Sequence, residues 1–561
     1  MGYIIGVSSG MFGMAQPQEK IGMIDLAQKG FYSAFKGVNF TQIDLETASE
    51  FISPNVQEKL RRLRNEMNVN YGIHGLSAAM GARGIFLDSA LKDDWQRTQS
   101  ALYRDIDNSG EVGARYYLQH ASETSPYGWL GKDMQPSNVV DAWGRPLHIF
   151  LEENPSVLYW LIEQSEIRGM RVHGTVNEVI DSGLLRGQLE KIAGQEAITE
   201  MFKEGLIKTR EDLDKDPEKY KEFAKRVEKK VGEKMRPAAQ EHVKEELFSS
   251  LRRSELVYGA ERVAYVAMAK WMSDKNDPLW EGIVGKKKID DVKDDFDTWV
   301  PAVSLKYIYG HFFPEEVKGE DKYKDPKVPI NKHKIYFVIE TETMKAGSED
   351  SPRVANPKHF VVLCREMEKK GLSYFKAAID FEHCLGAFLK PMGDKEGETG
   401  FLQEMGRDGG KYVGVLHVGW PTPIGPAHVP IYLGSEEQEN LYKWMFELRK
   451  NGFSENEDRF IIFERAGGVG GDPVDQSTMA LKKIVEFLRM DVRPDDLTKE
   501  ENLHFYGIDD SSLKMQQTEI IDHMMDPIKG LLQIPEEQHG FIGGSAVQKG
   551  KAKEWEAGKM R

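Results

Sequence analysis

The sequence predicts an α/β fold: a (β/α)8 TIM barrel with a large, mainly helical insertion after strand 4 and a C-terminal extension. Three observations predict it. Eight short runs rich in β-branched and aromatic residues recur along the chain, helical patterns separate most of them, and six consecutive runs end in His, Asp or Glu. Strands that alternate with helices imply βαβ units and a parallel sheet, and eight such units close a barrel.

The runs are Tyr3–Val7, Val38–Leu45, Val69–Gly75, Arg115–Ala121, Lys334–Thr341, Phe375–Phe381, Tyr412–Val418 and Arg459–Arg465. Between them, Pro54–Glu66, Trp95–Val112, Pro357–Lys370, Glu436–Asn451 and Gln476–Arg489 return an apolar residue every three or four positions, the period of a helix with one buried face. From the third run onward, neighbouring strand ends lie roughly 40 residues apart, which fits one βα unit, except that about 220 residues separate His120 from Glu340. The fourth connection therefore carries an insertion. The expected organisation is 1–124 for strands 1–4, 125–325 for the insertion, 326–490 for strands 5–8 and 491–561 for the extension.

Within the insertion, Ile180–Ser273 reads as long charged helices. Apolar stripes are expected at Leu189, Ile192, Ile198, Met201 and Phe202 and at Tyr220, Phe223, Ala224 and Val227. Its acidic and basic residues nearly balance, the pattern of a solvated lid or subdomain rather than a nucleic-acid arm. A connection that leaves a strand at its C-terminal end puts that lid over the face where barrels carry their sites. In the extension a helix is expected near Ser512–Leu532. Neither segment names a partner.

Composition narrows the function classes. With 40% hydrophobic and 29% charged residues the chain can bury a large core, and disorder is not the default. A formal charge of −15 offers no general attraction for nucleic acid or anionic lipid, so a polyanion would need a local basic patch or bound cations. The two cysteines, Cys364 and Cys384, form neither a disulfide framework nor a CxxC pair, which fits a reducing, cytoplasmic setting. The first residues lack the pattern of a signal peptide, and no run approaches the roughly 18 to 20 apolar residues that span a bilayer; no membrane role is expected.

The C-terminal ends of parallel barrel strands converge on one face, so residues distant in sequence can meet there. His74 ends the third run (Tyr-Gly-Ile-His), His120 the fourth (Tyr-Leu-Gln-His), Glu340 the fifth (Phe-Val-Ile-Glu), Asp380 the sixth (Ala-Ala-Ile-Asp), His417 the seventh (Gly-Val-Leu-His) and Glu464 the eighth (Ile-Ile-Phe-Glu). His383 follows Asp380 by three residues. Imidazole nitrogen mixed with carboxylate oxygen, without thiolate, suits Zn²⁺, Mn²⁺ or Fe²⁺ better than Ca²⁺. A carboxylate among such ligands can bridge two cations, and a close pair of cations lowers the pKa of a shared water and clamps a phosphoryl group.

Ile-His74-Gly, Gln-His120-Ala-Ser, Ile-Glu340-Thr, Ile-Asp380-Phe-Glu-His383, Leu-His417 and Phe-Glu464 together resemble the metal-ligand series of the endonuclease IV family, within the xylose-isomerase-like TIM barrel superfamily. Ile5–Gly10 is similar to that family's first strand. The resemblance covers 1–124 and about 332–490. It implies one metal on His74, His120 and Glu340, and a second on Glu340, Asp380, His417 and Glu464, bridged by Glu340; zinc is the implied metal, with manganese or iron as substitutes. A third metal in the family uses the His of Asp-x-x-His and an Asp-x-His; here His383 and His428 stand at the two His positions, but Pro426 replaces the Asp. Two metals are therefore expected.

The implied activity is cleavage of a phosphodiester, as in abasic-site DNA, by a metal-activated water, with Glu340, Asp380 and Glu464 as the catalytic carboxylates and a phosphorylated or nucleic-acid substrate. Sugar isomerases and epimerases of the same superfamily share the elements of strands 5 to 8 around one cation, so a small sugar is the alternative substrate. His74 and His120 favour the hydrolase. Against plain DNA repair, the family's Tyr-containing stretch after its first His is here Gly75–Gly81, and the insertion can enclose a small molecule as well as clamp a duplex. A barrel kept as a non-catalytic scaffold or binding protein is the third reading.

Overall fold

The structure is a computed structural model that describes residues 2–9, 30, 38–45, 54–76, 85–121, 138–164, 174–253, 260–314, 324–340, 353–354, 356–383, 405–406, 408–422, 425–464 and 473–508. In chain order the elements are β1 (Gly2–Ser8), β2 (Phe40–Asp44), α1 (Pro54–Met67), β3 (Asn70–His74), α2 (Lys92–Val112) and β4 (Tyr116–His120). The insertion follows as α3 (Leu147–Glu153), α4 (Pro155–Glu163), α5 (Val176–Asp181), α6 (Arg186–Lys203), α7 (Glu211–Lys215), α8 (Pro217–Arg253), α9 (Ala260–Lys275), α10 (Pro278–Ile283), α11 (Ile289–Val292) and α12 (Phe296–Phe312), after which α13 (Lys327–His333) leads into the next barrel strand. Then come β5 (Tyr336–Glu340), α14 (Pro357–Lys369), β6 (Phe375–Asp380), β7 (Val413–Val418), β8 (Trp420–Thr422), β9 (Gly425–Val429), α15 (Glu436–Lys450), β10 (Asp458–Phe463) and α16 (Pro473–Arg489).

Eight parallel strands close in the order β1-β2-β3-β4-β5-β6-β7-β10, while β8 and β9 form a separate antiparallel pair. Each predicted strand is present, displaced at its ends by no more than two residues. The fold is a (β/α)8 barrel. Local signals set the helix ends: the Asn356 side chain accepts from the Lys358 N–H with Pro357 in the first turn of α14, and α2 stops at Gly113, whose φ of 86° lies in the left-handed region that glycine adopts without penalty.

Period-2 alternation decides what faces the lumen. Ile4, Phe40, Tyr116, Leu118, Tyr336, Val338, Ala378, Val415, Phe460 and Ile462 pack together as the interior of the barrel, separate from the larger core between strands and helices. Two residues further along the same faces come His120, Glu340, Asp380, His417 and Glu464. A strand whose apolar residues fill the barrel is thereby obliged to aim its last polar side chain inward as well. Gly72 is the spacer in this layer: a Cβ there would stand 2.1 Å from the Tyr116 ring.

The insertion is helical, and most of it is continuous with the barrel. On α12, Phe312 packs edge-on against the outward rings of Phe337 and Phe375, at 4.8 and 5.2 Å between centroids. Residues of α9, α10, α12 and the C-terminal half of α8 share the main core. Two small satellite clusters, Leu189–Ala193–Val231 and Met201–Ile207–Leu213, hold α6 against the rest of α8. The expected stripe on α6 is corrected: Leu189, Ala193, Ala197 and Met201 are buried, whereas Ile192 and Phe202 are exposed. Small alanines let α8 approach closely on that side, and an i, i+4 row leaves the larger neighbours outside.

The N-terminal end of α9 grips the rim of the barrel. Glu261 accepts from the Ala90 N–H at 3.3 Å, and Tyr265 donates to the Asp88 carbonyl, both just ahead of α2. Among the described residues no helix is long and apolar enough to cross a membrane. The expected helix at Ser512–Leu532 lies outside the described residues.

Candidate metal centre

Glu340, buried at the end of β5, is the hub. Its Oε2 lies 3.0 Å from His74 Nε2 and 3.2 Å from His120 Nε2, and its Oε1 lies 2.5 Å from His417 Nδ1. His417 Nδ1 also stands 2.8 Å from Glu464 Oε2. Two donor groups result, His74–His120–Glu340 and Glu340–Asp380–His417–Glu464; within each, one ligand atom per residue lies within 4.8 Å of all the others. Six residues from six strands thus form two clusters that share one carboxylate.

Hydrogen-bond direction tests whether a cation fits. His74 Nδ1 is 2.9 Å from the Gly75 carbonyl, which can only accept, so Nδ1 carries a proton and a neutral ring turns its Nε2 lone pair toward Glu340. His417 is fixed from the other side. The Gln42 amide N–H donates to Asp44 Oδ1 at 3.2 Å, which leaves Gln42 Oε1 to accept from the Tyr116 hydroxyl at 2.9 Å and from His417 Nε2 at 2.8 Å. Nδ1 of a neutral His417 then presents a lone pair to the carboxylates of Glu340 and Glu464. Lone pairs facing carboxylate oxygens at these distances require a positive charge between them, either protons or a metal cation. Neutral nitrogen and carboxylate oxygen are the donors that Zn²⁺, Mn²⁺ or Fe²⁺ takes, so the residues fit a metal.

Without a metal the protons supply that charge. Burial opposes charge on His417, but Glu340 and Glu464 outweigh it and hold the imidazole well above its ordinary pKa. Burial likewise pushes Glu340 up, and the His417 and His120 charges overcome it, leaving the carboxyl well below its usual range. His74 is raised too, its burial offset by the Glu340 hydrogen bond and charge.

The other expected residues are placed differently. His383 stands beside the second group and belongs to neither: its backbone N–H donates to Asp380 Oδ1 at 3.1 Å, and its ring Nδ1 is 3.5 Å from Asp380 Oδ2. His428 is on β9, but its side chain, like that of Pro426, is outside the described residues.

The sequence reading missed the support behind the ligands. Ser8 and Ser9 at the end of β1 each donate to Asp44 Oδ2 at 3.0 Å, and Gln42 and Asp44 complete the ring of strand ends from β2. The signal was present as Gln42 in an otherwise apolar position of a buried strand, where a polar side chain needs a partner.

No protein-family model and no curated protein matches the chain. Among solved structures it aligns with a D-tagatose 3-epimerase-like protein at 10% identity and TM-score 0.37, over 88% of this chain and 100% of that one. It aligns with D-psicose 3-epimerase from Clostridium cellulolyticum H10 at 11% and 0.35, over 87% and 99%. The 3-keto-D-glucoside 4-epimerase YcjR of E. coli aligns at 9% and 0.33, over 87% and 98%. Likeness at this level decides nothing about chemistry, and it does not show the endonuclease IV family.

Proposed function

We propose that the chain is a two-metal hydrolase of phosphoesters, resembling the endonuclease IV family in its ligand set. One observation supports this above others: Glu340 turns its two oxygens to two different donor groups, Oε2 to His74 and His120 and Oε1 to His417. A carboxylate placed in that way would serve as a ligand to a cation in each group. When bound, two divalent cations would supply Lewis acidity to a phosphoryl group and lower the pKa of a water held near it. The protein's part is to fix both ligand groups on strand ends, to carry the bridge on a buried side chain, and to neutralise the cations with Glu340, Asp380 and Glu464. Bound cations would also give an acidic chain the local positive charge that an anionic substrate needs.

The second reading is a one-metal sugar isomerase or epimerase. Glu340, Asp380, His417 and Glu464 form a complete four-residue group without His74 or His120, and two carboxylates can move a proton beside a carbonyl. The test is to assay metal-replete protein against phosphodiester and phosphomonoester substrates, abasic-site DNA, and a panel of free ketoses and sugar phosphates. Hydrolysis of a phosphoester with two metals per chain is the expected result. Conversion of a sugar by protein holding one metal, with no phosphoester cleaved, would replace the first reading by the second.

A further inference from the structure

Gln42 and His417 lie 375 residues apart in sequence and face each other across the lumen, 2.8 Å from Oε1 to Nε2. Every hydrogen bond around Gln42 has a forced direction. Asp44 accepts from the Ser8 and Ser9 hydroxyls through Oδ2 and from the Gln42 amide N–H through Oδ1, while its own backbone N–H donates to Ser9 Oγ at 2.9 Å. That carboxylate pins the Gln42 N–H outward, so the amide oxygen must face Tyr116 and His417. Gly72, which has no Cβ, leaves the space that the Tyr116 ring occupies beneath them.

We propose that Gln42, oriented by Asp44, is a positioning residue that selects the His417 tautomer with Nδ1 free for a cation at Glu340, Asp380 and Glu464. The inference rests on the metal reading above and deepens it by assigning an outer layer from β1 and β2, strands that provide no ligand. The imidazole has two ways to carry its proton, and only one leaves Nδ1 as a donor to the cation. An apolar side chain at 42 removes the acceptor that makes the choice. Groups that orient a metal-bound histidine in this way typically contribute about 10- to 100-fold to metal affinity.

The test uses the full chain and Co²⁺ as the probe, read by its visible absorption during titration, with an unfolding curve of each metal-free variant as the folding control. Wild type should bind two equivalents. Gln42→Leu should lose about 10- to 100-fold in affinity at one of them, with a changed spectrum for that site. Asp44→Asn, on the half-exposed rim, should weaken the same site less, because Gln42 can then turn over, and it keeps the proposal testable if Gln42→Leu does not fold. The swap Gln42→Glu with Asp44→Asn restores every donor and acceptor in reversed roles and should return the affinity to within a few fold of wild type. Wild-type affinity and spectrum in Gln42→Leu, or a swap no better than Asp44→Asn, would overturn the assignment. Failure of the wild type to take up Co²⁺ would instead overturn the metal reading beneath it.

Discussion

Arg353 and Glu261 form a two-pronged ion pair, with Nη1 2.9 Å from Oε1 and Nη2 3.1 Å from Oε2, and both side chains are buried. The pair ties the segment between β5 and α14 to the first turn of α9. Arg353 also donates to Tyr265 Oη at 3.1 Å, so the insertion is fastened to the chain just ahead of α14. Glu261→Ala would take the two-pronged partner from a buried guanidinium and leave it the more weakly acting charge of Asp88, a loss of about 3 to 5 kcal/mol. Denaturant unfolding of the metal-free variant should show it. A loss below about 1 kcal/mol would mean that the loop repacks and lets Arg353 reach water.

Gly72→Ala should be destabilising for a different reason. A methyl group 2.1 Å from the Tyr116 ring forces either the strand or the ring to move inside a filled barrel, an overpacking cost of about 1 to 3 kcal/mol. The displaced ring would also withdraw its hydroxyl from Gln42. The expected outcome is a lower thermal midpoint together with weaker metal binding, and the double variant Gly72→Ala/Tyr116→Phe should not recover the second loss.

The barrel was legible because its strands are short apolar runs that end in chemistry-bearing residues. The same alternation that buries Leu118 and Val338 forces His120 and Glu340 inward, so the strand ends legible in the sequence are the residues that meet in the candidate metal centre. Gln42 shows locally only as an amide within a buried strand, and nothing near it in the sequence shows that it meets a histidine from β7 across the lumen. The insertion was legible as helix, but its seating was not. Phe312 against Phe337 and Phe375, and Glu261 against Arg353, are contacts of high sequence separation that helical periodicity does not encode. On α6 the expected Leu189 and Met201 are buried and Ile198 is partly buried, whereas Ile192 and Phe202 are exposed because close packing against α8 takes the smaller Ala193 and Ala197 in their place.

The raised pKa of His417 makes stability depend on pH in the metal-free protein. Its folded pKa lies well above the ordinary value of 6.5, since Glu340 and Glu464 overcome the burial that opposes charge. The stabilisation is therefore fully present below about pH 6.5 and is lost as pH rises through the folded pKa. Glu340 acts in the opposite sense: its depressed pKa contributes stability above about 4.5 that is lost as pH falls through the folded value. The thermal midpoint of chelated protein should thus decline from near-neutral into alkaline solution. A bound cation replaces the protons and should flatten that alkaline limb, and its uptake should release protons, seen as calorimetric heats that depend on buffer ionisation enthalpy. Identical heats in all buffers would contradict the hydrogen-bond directions deduced for His74 and His417.

The shared carboxylate predicts an unequal response of metal content to substitution. Asp380 belongs to the second group alone, and His74 and His120 to the first alone, whereas Glu340 belongs to both. His74→Ala or His120→Ala should leave the second group's equivalent tightly held, and Asp380→Asn should weaken that equivalent and spare the first group's, because each removes a ligand from a single cluster. Glu340→Ala should empty both, since the first group would keep only two imidazoles and the second would lose its buried bridge. Elemental analysis after dialysis without chelator reads these outcomes directly. The kinetics then separate the two chemistries: a hydrolase that needs both cations loses nearly all turnover in His120→Ala, whereas a one-metal isomerase keeps its metal and loses mainly substrate affinity. One equivalent of metal in wild type, unchanged in His74→Ala and His120→Ala, would remove the bridge and with it the hydrolase.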